Sequence, residues 1–162
     1  MNRVTTREPA ALVARPLQKD SGSLALATVV EIEVPGRMEV VDDLEATVVR
    51  LGIRAGLDSN SAIFLGVALR EALTNAIRHG NGCAPERAIQ VGIALGRGSL
   101  CMTVRDWGPG FEANALPDPA APENRWRGCG RGIFFMRQFA DEVLFHHPEG
   151  GGQAVELRKR LP

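Results

Sequence analysis

Lysine is almost missing from this sequence, and neither lysine lies where a nucleotide-binding lysine would. Lys19 and Lys159 are the only lysines among 19 basic residues, and both lack a glycine-rich context. A Walker A loop is therefore excluded, because it requires GxxxxGK followed by Ser or Thr. An excess of charge is also missing, since 19 acidic residues balance the 19 basic ones. Proteins that track nucleic acid usually carry a basic field, so we expect no direct nucleic-acid partner.

Cysteine pairs and long apolar runs are missing as well. Cys83, Cys101 and Cys129 are widely spaced and form no CxxC pair, which indicates neither a disulfide framework nor a zinc site. We therefore expect a reducing, cytoplasmic location. No apolar run reaches the roughly 18 residues of a membrane span, and residues 1–23 lack the apolar segment of a secretory signal. We predict a loosely ordered arm over 1–23, one domain over 24–162, and no membrane association.

Hydrophobic periodicity predicts an α+β domain. Spacings of three and four predict a helix over 38–51, and N-cap residues at 58–61 begin a second helix that runs to about His79. A third helical pattern covers 133–140. The predicted strands are 24–34, 88–95, 100–105, 143–147 and 154–158, and four prolines within 107–129 predict a long loop. Hairpins with helices on one face indicate a two-layer α/β sandwich with a mixed, mostly antiparallel sheet, rather than a doubly wound parallel sheet.

The helix that ends near His79 carries a narrow polar stripe. At roughly 100° per residue, Glu71 and Asn75 share one face, while a row of leucines lies opposite. A carboxylate can accept a proton or orient a water, and an amide oxygen can bind Mg²⁺. A solvated helix face is the alternative explanation of the same residues.

Two glycine-rich segments carry the remaining candidate chemistry. Residues 104–111 form a strand that runs into DxGxGF, where Asp106 can accept a hydrogen bond from an exocyclic amine and the glycines allow a flat ring to approach. Residues 127–132 (RGCGRG) precede the third helix, and unpaired N–H groups at a helix start favour anions. An Asp-initiated turn and a flexible hinge are the respective alternatives.

In this order, the three segments resemble the N, G1 and G2 boxes of the GHKL family of ATP-binding domains. Residues 71–80 (EALTNAIRHG) resemble the N box, 106–111 (DWGPGF) the G1 box, and 130–133 (GRGI) the G2 box. The single short domain and the ending GIFFMRQFADEV are similar to the bacterial anti-sigma-factor serine/threonine kinases. The resemblance covers about 24–157 and implies the Bergerat, or GHKL, ATP-binding fold.

The resemblance also implies ATP and Mg²⁺ as cofactors and assigns roles to residues. Glu71 is the implied general base, or the orienting carboxylate, for a Ser or Thr hydroxyl, Asn75 the implied Mg²⁺ ligand, and Asp106 the implied acceptor for the adenine amino group. The other implied nucleotide-binding residues are His79, Gly108, Gly110, Gly130, Arg131 and Gly132. Arg125 and Arg127 are alternatives to Arg131 for contact with the γ-phosphate. A structural role at the helix end competes with nucleotide contact for His79.

One position departs from the family pattern. Many GHKL domains carry a threonine in the last strand that helps to hold the adenine-binding Asp, whereas residues 152–155 read GQAV. Gln153 is the candidate replacement, and weaker nucleotide binding is the alternative. The proline-rich composition of the predicted loop also differs from the short polar lids of the family.

The implied function is that of an ATP-dependent serine/threonine kinase that is also an anti-sigma factor. Such a protein phosphorylates a STAS-like anti-sigma-factor antagonist and sequesters a sigma factor, and the family leads us to expect a homodimer. One alternative is an ATP-binding regulatory module without catalysis, although the presence of Glu71 favours catalysis. The other is the catalytic domain of a sensor histidine kinase. That domain requires a phosphoacceptor helical hairpin, for which residues 1–23 are too short and too interrupted by proline.

Overall fold

The structure, a computed structural model, describes residues 26–96, 98–110 and 131–162. Within them the chain forms β1 Leu26–Pro35, α1 Glu39–Arg54, α2 Ser59–Asn75, a π-helical turn Ala76–Gly80, β2 Ala88–Gly96, β3 Ser99–Asp106, α3 Arg131–Phe139, β4 Glu142–His146 and β5 Gln153–Arg160. None of the helices in these ranges is long and apolar enough to span a bilayer. The predicted arm over 1–23 and residues 111–129 of the predicted loop lie outside the described residues.

The five strands form one sheet in the order β1-β2-β3-β5-β4. Both predicted hairpins are present, β2 with β3 and β4 with β5. Strand β5 inserts between β3 and β4, which places Gln153 directly opposite Asp106. Every pairing among the described strands is antiparallel. The predicted α+β class is therefore confirmed, and the described part of the sheet contains no parallel pair.

Helix α2 is the central helix of the second layer and contacts α1, α3 and the sheet. Its leucine row forms the core side, since Leu65 and Leu69 are 0% exposed and Leu73 is 1% exposed. These side chains belong to the same apolar cluster as Met102 of β3 and Leu157 of β5. Complete burial of each leucine contributes roughly 1.5–3 kcal/mol. The polar stripe of the helix is consequently left facing α3 and solvent.

Helix α1 packs beside α2 through both apolar and charged contacts. Its buried stripe is Val41, Leu44 and Val48. On the partly exposed side, the Nε of Arg70 in α2 donates to Oε2 of Glu45 at 2.5 Å. Because Arg70 precedes Glu71, this ion pair directs the arginine towards α1 and leaves the next residue on the α3 side.

The two ends of α2 have different hydrogen-bond patterns. At the start, the carboxylate of Asp58 accepts from the N–H groups of Asn60 and Ser61 at 3.0 and 3.1 Å, which confirms the predicted N-cap. At the other end, α-helical bonding stops at Asn75 and a π-helical turn follows, with the N–H of Asn81 donating to the carbonyl of Ala76 at 2.8 Å. The simple helix end predicted near His79 is therefore replaced by a wider turn, a feature frequent at functional sites.

Candidate functional site

The end of α2, the end of β3, helix α3 and the start of β5 meet around one open pocket. It encloses about 530 Å³ when the open space at its mouth is included. Its polar lining includes Asn75, His79, Asp106 and Gln153, and its apolar lining includes Val104, Met136, Phe145 and Val155. The polar lining contains residues from two of the three predicted motifs. The apolar wall follows from no motif, because these residues look like ordinary core positions in sequence.

Asp106 is the buried acid of the pocket. It ends β3, is 8% exposed, and its Oδ1 accepts from the backbone N–H of Gly108 at 2.8 Å. Burial raises the pKa of Asp106, and the hydrogen bond from Gly108 opposes that rise only in part. No other donor reaches this carboxylate within the part of the chain that the structure describes. Its second oxygen is therefore available to a donor bound in the pocket.

Gly80 and Gly108 allow two chain segments to meet at this carboxylate. A Cβ on Gly80 would overlap the carboxyl group of Asp106, and a Cβ on Gly108 would overlap the backbone of Gly80. Neither glycine has a positive φ, so these positions require the small size of glycine rather than its backbone freedom. Gly80 lines the pocket, whereas Gly108 is buried against Gly80.

Asn81 fixes this arrangement, and the sequence motifs did not reveal it. The residue is 1% exposed, and its Nδ2 donates to the carbonyls of Arg87 and Ala88 at 3.1 and 3.2 Å. Its Oδ1 lies 3.5 Å from the backbone N of Trp107, a long hydrogen bond. One side chain thus joins the π-helical turn to the start of β2 and to the segment after Asp106. In sequence, Gly80-Asn81-Gly82 indicates only a helix end.

Glu71 and Asn75 lie against the first turn of α3. A Cβ on Gly132 would be 2.6 Å from Oε2 of Glu71 and 3.4 Å from Nδ2 of Asn75. Glu71 and Asn75 are both partly exposed, and Asn75 lines the pocket. Across residues 26–96, 98–110 and 131–162, Glu71 makes no hydrogen bond or ion pair. A carboxylate and a carboxamide one turn apart therefore lie beside a helix start, where negative groups are favoured.

The other predicted site residues are placed as follows. His79 and Gly110 line the pocket, and His79 is exposed. Gly110 has φ +72°, and a Cβ there would be 2.6 Å from Cε1 of His147. Arg131 is the first residue of α3 and is exposed. Gly130, Arg125 and Arg127 lie outside the described residues.

Gln153 occupies the position where the sequence departs from the family pattern. It is 5% exposed, lines the pocket and is the cross-strand partner of Asp106. Its carboxamide offers both a donor and an acceptor. The sequence therefore places a longer polar group than threonine next to the buried acid.

The donor and acceptor set fits a purine nucleotide with a magnesium ion. A buried carboxylate oxygen suits an exocyclic amine, and the apolar lining suits the faces of a ring. Mg²⁺ usually takes one or two protein oxygens and completes its shell with phosphates and waters, which the side chain of Asn75 beside a helix start satisfies. The described residues contain no cluster of three or more His, Cys, Asp or Glu that could hold a metal.

Comparison with known proteins identifies several relatives. The protein named "Serine-protein kinase RsbW" from Oceanobacillus iheyensis is 25% identical over 127 residues, which cover 75% of this chain and 80% of that protein. The protein named "Anti-sigma F factor" from Geobacillus kaustophilus is 33% identical over 95 residues, which cover 56% of this chain and 64% of that protein.

Two solved structures share the fold. The RsbU and RsbW domains of a Mycobacterium tuberculosis protein match with a TM-score of 0.59 and 19% identity, over 83% of this chain and 32% of that one. The SiaB-SiaC complex of Pseudomonas aeruginosa matches with a TM-score of 0.60 and 14% identity, over 83% of this chain and 90% of that one.

The match to a family profile covers most of the domain. Residues 34–159 match the family described as Histidine kinase-like ATPase domain, and this range includes every candidate site residue. The resemblance to GHKL domains is confirmed: the chain belongs to the histidine kinase-like ATPase domain family.

Proposed function

We propose that this protein is an ATP-dependent serine/threonine protein kinase that acts as an anti-sigma factor. The observation that carries the proposal is the position of Glu71, a carboxylate without a partner in the described residues, beside Asn75 and the backbone of Gly132. A carboxylate in this place can bind a hydroxyl group presented by another protein. The names of the relatives, a serine-protein kinase and an anti-sigma F factor, support the same activity.

Nucleotide binding follows from the pocket. In the proposal, Asp106 accepts from the adenine amino group through the oxygen that Gly108 leaves available, and Gly110 and His79 contact the nucleotide from the lining. The backbone N–H group of Gly132, in the first turn of α3, binds phosphate, and Gly130, which lies outside the described residues, is assigned the same role. Arg131 is the proposed cation for the γ-phosphate, with Arg125 and Arg127 as alternatives. Asn75 would hold Mg²⁺, which would supply charge neutralisation at the phosphates.

The chemical step is assigned to Glu71. Its carboxylate orients the Ser or Thr hydroxyl of the partner and accepts the hydroxyl proton as the oxygen attacks the γ-phosphorus. The bond from that phosphorus to the bridging β-γ oxygen breaks, the phosphoryl group passes to the partner, and ADP leaves. Phosphoryl transfer depends mainly on positioning and charge stabilisation, so one base, one amide ligand, a helix start and a cationic side chain are sufficient protein groups.

The proposed partners are proteins. We assign a STAS-like anti-sigma-factor antagonist as the phosphate acceptor and a sigma factor as the sequestered partner, with a homodimer as the active species in the cytoplasm. Direct binding of nucleic acid is not part of the proposal, because the chain has a formal net charge of zero.

The test is transfer of labelled phosphate. Purified protein with Mg²⁺ and γ-labelled ATP is incubated with each purified STAS-domain protein encoded in the same genome, and labelled residues are identified by mass spectrometry. We expect phosphoserine or phosphothreonine on one of them. Glu71→Gln should lower the transfer rate by roughly 10²- to 10⁴-fold, the usual contribution of a general base, with the Kd for ATP nearly unchanged.

Glu86→Gln is the matched control, since Glu86 is an exposed acid that does not line the pocket. Its transfer rate should equal that of the unaltered protein. Transfer by Glu71→Gln at the full rate would remove the assigned role of Glu71. Binding of ATP without transfer to any STAS-domain protein would refute the kinase and favour a regulatory module that uses ATP as a structural ligand.

A further inference from the structure

The turn between β4 and β5, residues 147–152, contains three successive glycines in a left-handed conformation. Gly150, Gly151 and Gly152 have φ of 88°, 90° and 81°. One backbone hydrogen bond closes the turn, from the N–H of Gly151 to the carbonyl of Pro148 at 3.1 Å. Glycine loses more backbone freedom on ordering than any other residue, so this sequence holds its own conformation weakly.

The position of this turn matters for the pocket. A Cβ on Gly152 would overlap the backbone carbonyl of Asp106, so the turn packs directly on the strand end that carries the buried acid. Gln153, the next residue, lines the pocket. The Nδ1 of His147 lies 3.1 Å from the carbonyl oxygen of Gly152, and the same ring packs on Gly110. A shift of the turn would therefore move several groups of the pocket together.

Arg105 contacts this turn from the sheet face opposite the helices. Its Nη2 donates to the carbonyls of Glu149 and Gly151 at 3.0 and 2.6 Å. Its guanidinium carbon lies 4.2 Å from the centre of the Trp107 ring, a cation–π contact. Its Nε is buried without a partner among the described residues, an unfavourable feature that the other contacts of the side chain must outweigh.

We propose that Arg105 is a positioning residue for nucleotide binding. It precedes Asp106 in the chain and joins the turn to Trp107. These contacts fix the positions of Asp106 and Gln153 relative to each other before a nucleotide binds. Arg105 is not part of the pocket lining, so it acts through the turn rather than by contact with the ligand. The inference rests on the proposed binding of ATP and adds a residue that the N, G1 and G2 boxes do not include.

The first experiment compares nucleotide affinity by calorimetry with Mg-ATP. We expect Arg105→Ala to raise the Kd about tenfold, because the cost of ordering the turn is transferred to the binding step. Arg105→Lys should give an intermediate Kd, since an ammonium group can reach a carbonyl but lacks the planar fork that stacks on Trp107. This partial rescue distinguishes positioning from a general loss of stability.

Arg158→Ala is the matched control. Arg158 lies on the same face of the sheet, also has a buried Nε without a partner in the described residues, and pairs with Glu142 and Glu156 rather than with the turn. Its Kd should equal that of the unaltered protein. An unchanged Kd in Arg105→Ala, or an equal loss in Arg158→Ala, would overturn the proposal.

Hydrogen exchange in the nucleotide-free protein separates this proposal from the proposed function. Amides of residues 149–152 should exchange faster in Arg105→Ala than in the unaltered protein, with those of α1 unchanged. Unchanged exchange beside normal ATP binding would overturn the role of Arg105 alone. Faster exchange with no ATP binding by the unaltered protein would overturn the proposed function and the nucleotide role of Arg105 with it.

Discussion

Replacement of Asp106 by asparagine keeps the shape of the side chain and removes its charge. The N–H of Gly108 already donates to Oδ1 at 2.8 Å, so the amide oxygen of the variant should take that place. The NH₂ group then occupies the position of the second oxygen, the one assigned to the adenine amino group. The NH₂ group of asparagine then faces the amino group of adenine, and both are hydrogen-bond donors. The base therefore loses its acceptor as well as the favourable negative charge.

The expected loss of affinity follows from one charge-assisted hydrogen bond. Such bonds contribute about 1.5–3 kcal/mol, and each 1.4 kcal/mol changes an equilibrium constant about tenfold. We therefore expect the Kd for ATP to rise roughly 10- to 150-fold in Asp106→Asn. Guanine carries the acceptor O6 where adenine carries its amino group, so the ratio of ATP affinity to GTP affinity should also fall.

Stability should change in the opposite direction. Burial raises the pKa of Asp106, which means that the folded protein disfavours the ionised carboxylate. The folded state then binds a proton more tightly than the unfolded chain does. Between the ordinary value of 3.8 and the raised pKa, the contribution of this group to stability falls as the pH rises, and above that window the full cost is present. At pH 7.5 the asparagine variant should be at least as stable as the unaltered protein.

Two measurements check these expectations. Calorimetry with a non-hydrolysable ATP analogue and its GTP counterpart gives the affinities, and urea unfolding between pH 4 and 8 gives the difference in stability between the two proteins. Asp43→Asn, at an exposed acid of α1, is the control and should change neither quantity. An unchanged Kd and base preference would refute the assignment of Asp106. A marked loss of stability at pH 7.5 would refute the argument from burial.

Two further substitutions test how glycine and asparagine build the site. Gly132→Ala places a Cβ 2.6 Å from Oε2 of Glu71, which is the end of a flexible side chain. The variant should therefore keep its thermal stability, while its rate of phosphate transfer falls at least about tenfold. Gly92→Ala is its control, because a Cβ there meets nothing closer than 3.6 Å. Equal transfer rates would show that the contact with Gly132 does not position Glu71. Asn81→Ala leaves two carbonyls without their side-chain donor and should lower the free energy of unfolding by about 1–3 kcal/mol in urea, whereas Asn60→Ala, at an exposed position, should cost little. A loss below about 0.5 kcal/mol for Asn81→Ala would refute its bridging role.

The sequence predicts the elements well where one local rule controls them. Asp58 is an example, because its side chain bonds to the N–H groups two and three residues later and needs nothing from the rest of the chain. The leucine row of α2 is another, since a single core selects one face of a helix. The glycine-rich motifs likewise indicate the close contacts at Asp106 and at Gly132, because neighbouring groups can approach the backbone so closely only where a Cβ is absent.

Contacts that depend on two distant segments were not predictable in this way. Asn81 has its role because the fold brings Arg87, Ala88 and Trp107 within hydrogen-bond distance of one side chain. No spacing in the sequence predicts these contacts. Likewise, the link between Arg105 and the glycine turn exists because β5 inserts between β3 and β4, a choice of strand order that periodicity does not determine. Sequence motifs therefore indicate residues proposed to contact a ligand more readily than residues that hold those residues in place.

Several locally unfavourable features of the described chain lie around the pocket. A buried acid with a raised pKa, a π-helical turn and three left-handed glycines lie within or next to it, whereas the leucine row of α2 and the antiparallel sheet obey ordinary rules of packing. Each feature has a local cost in free energy, and the binding of a nucleotide would offset that cost. Substitutions at Asp106 and Gly132 should therefore separate function from stability. Substitutions in the leucine row should reduce both together, because the core supplies the free energy that keeps the strained site in place.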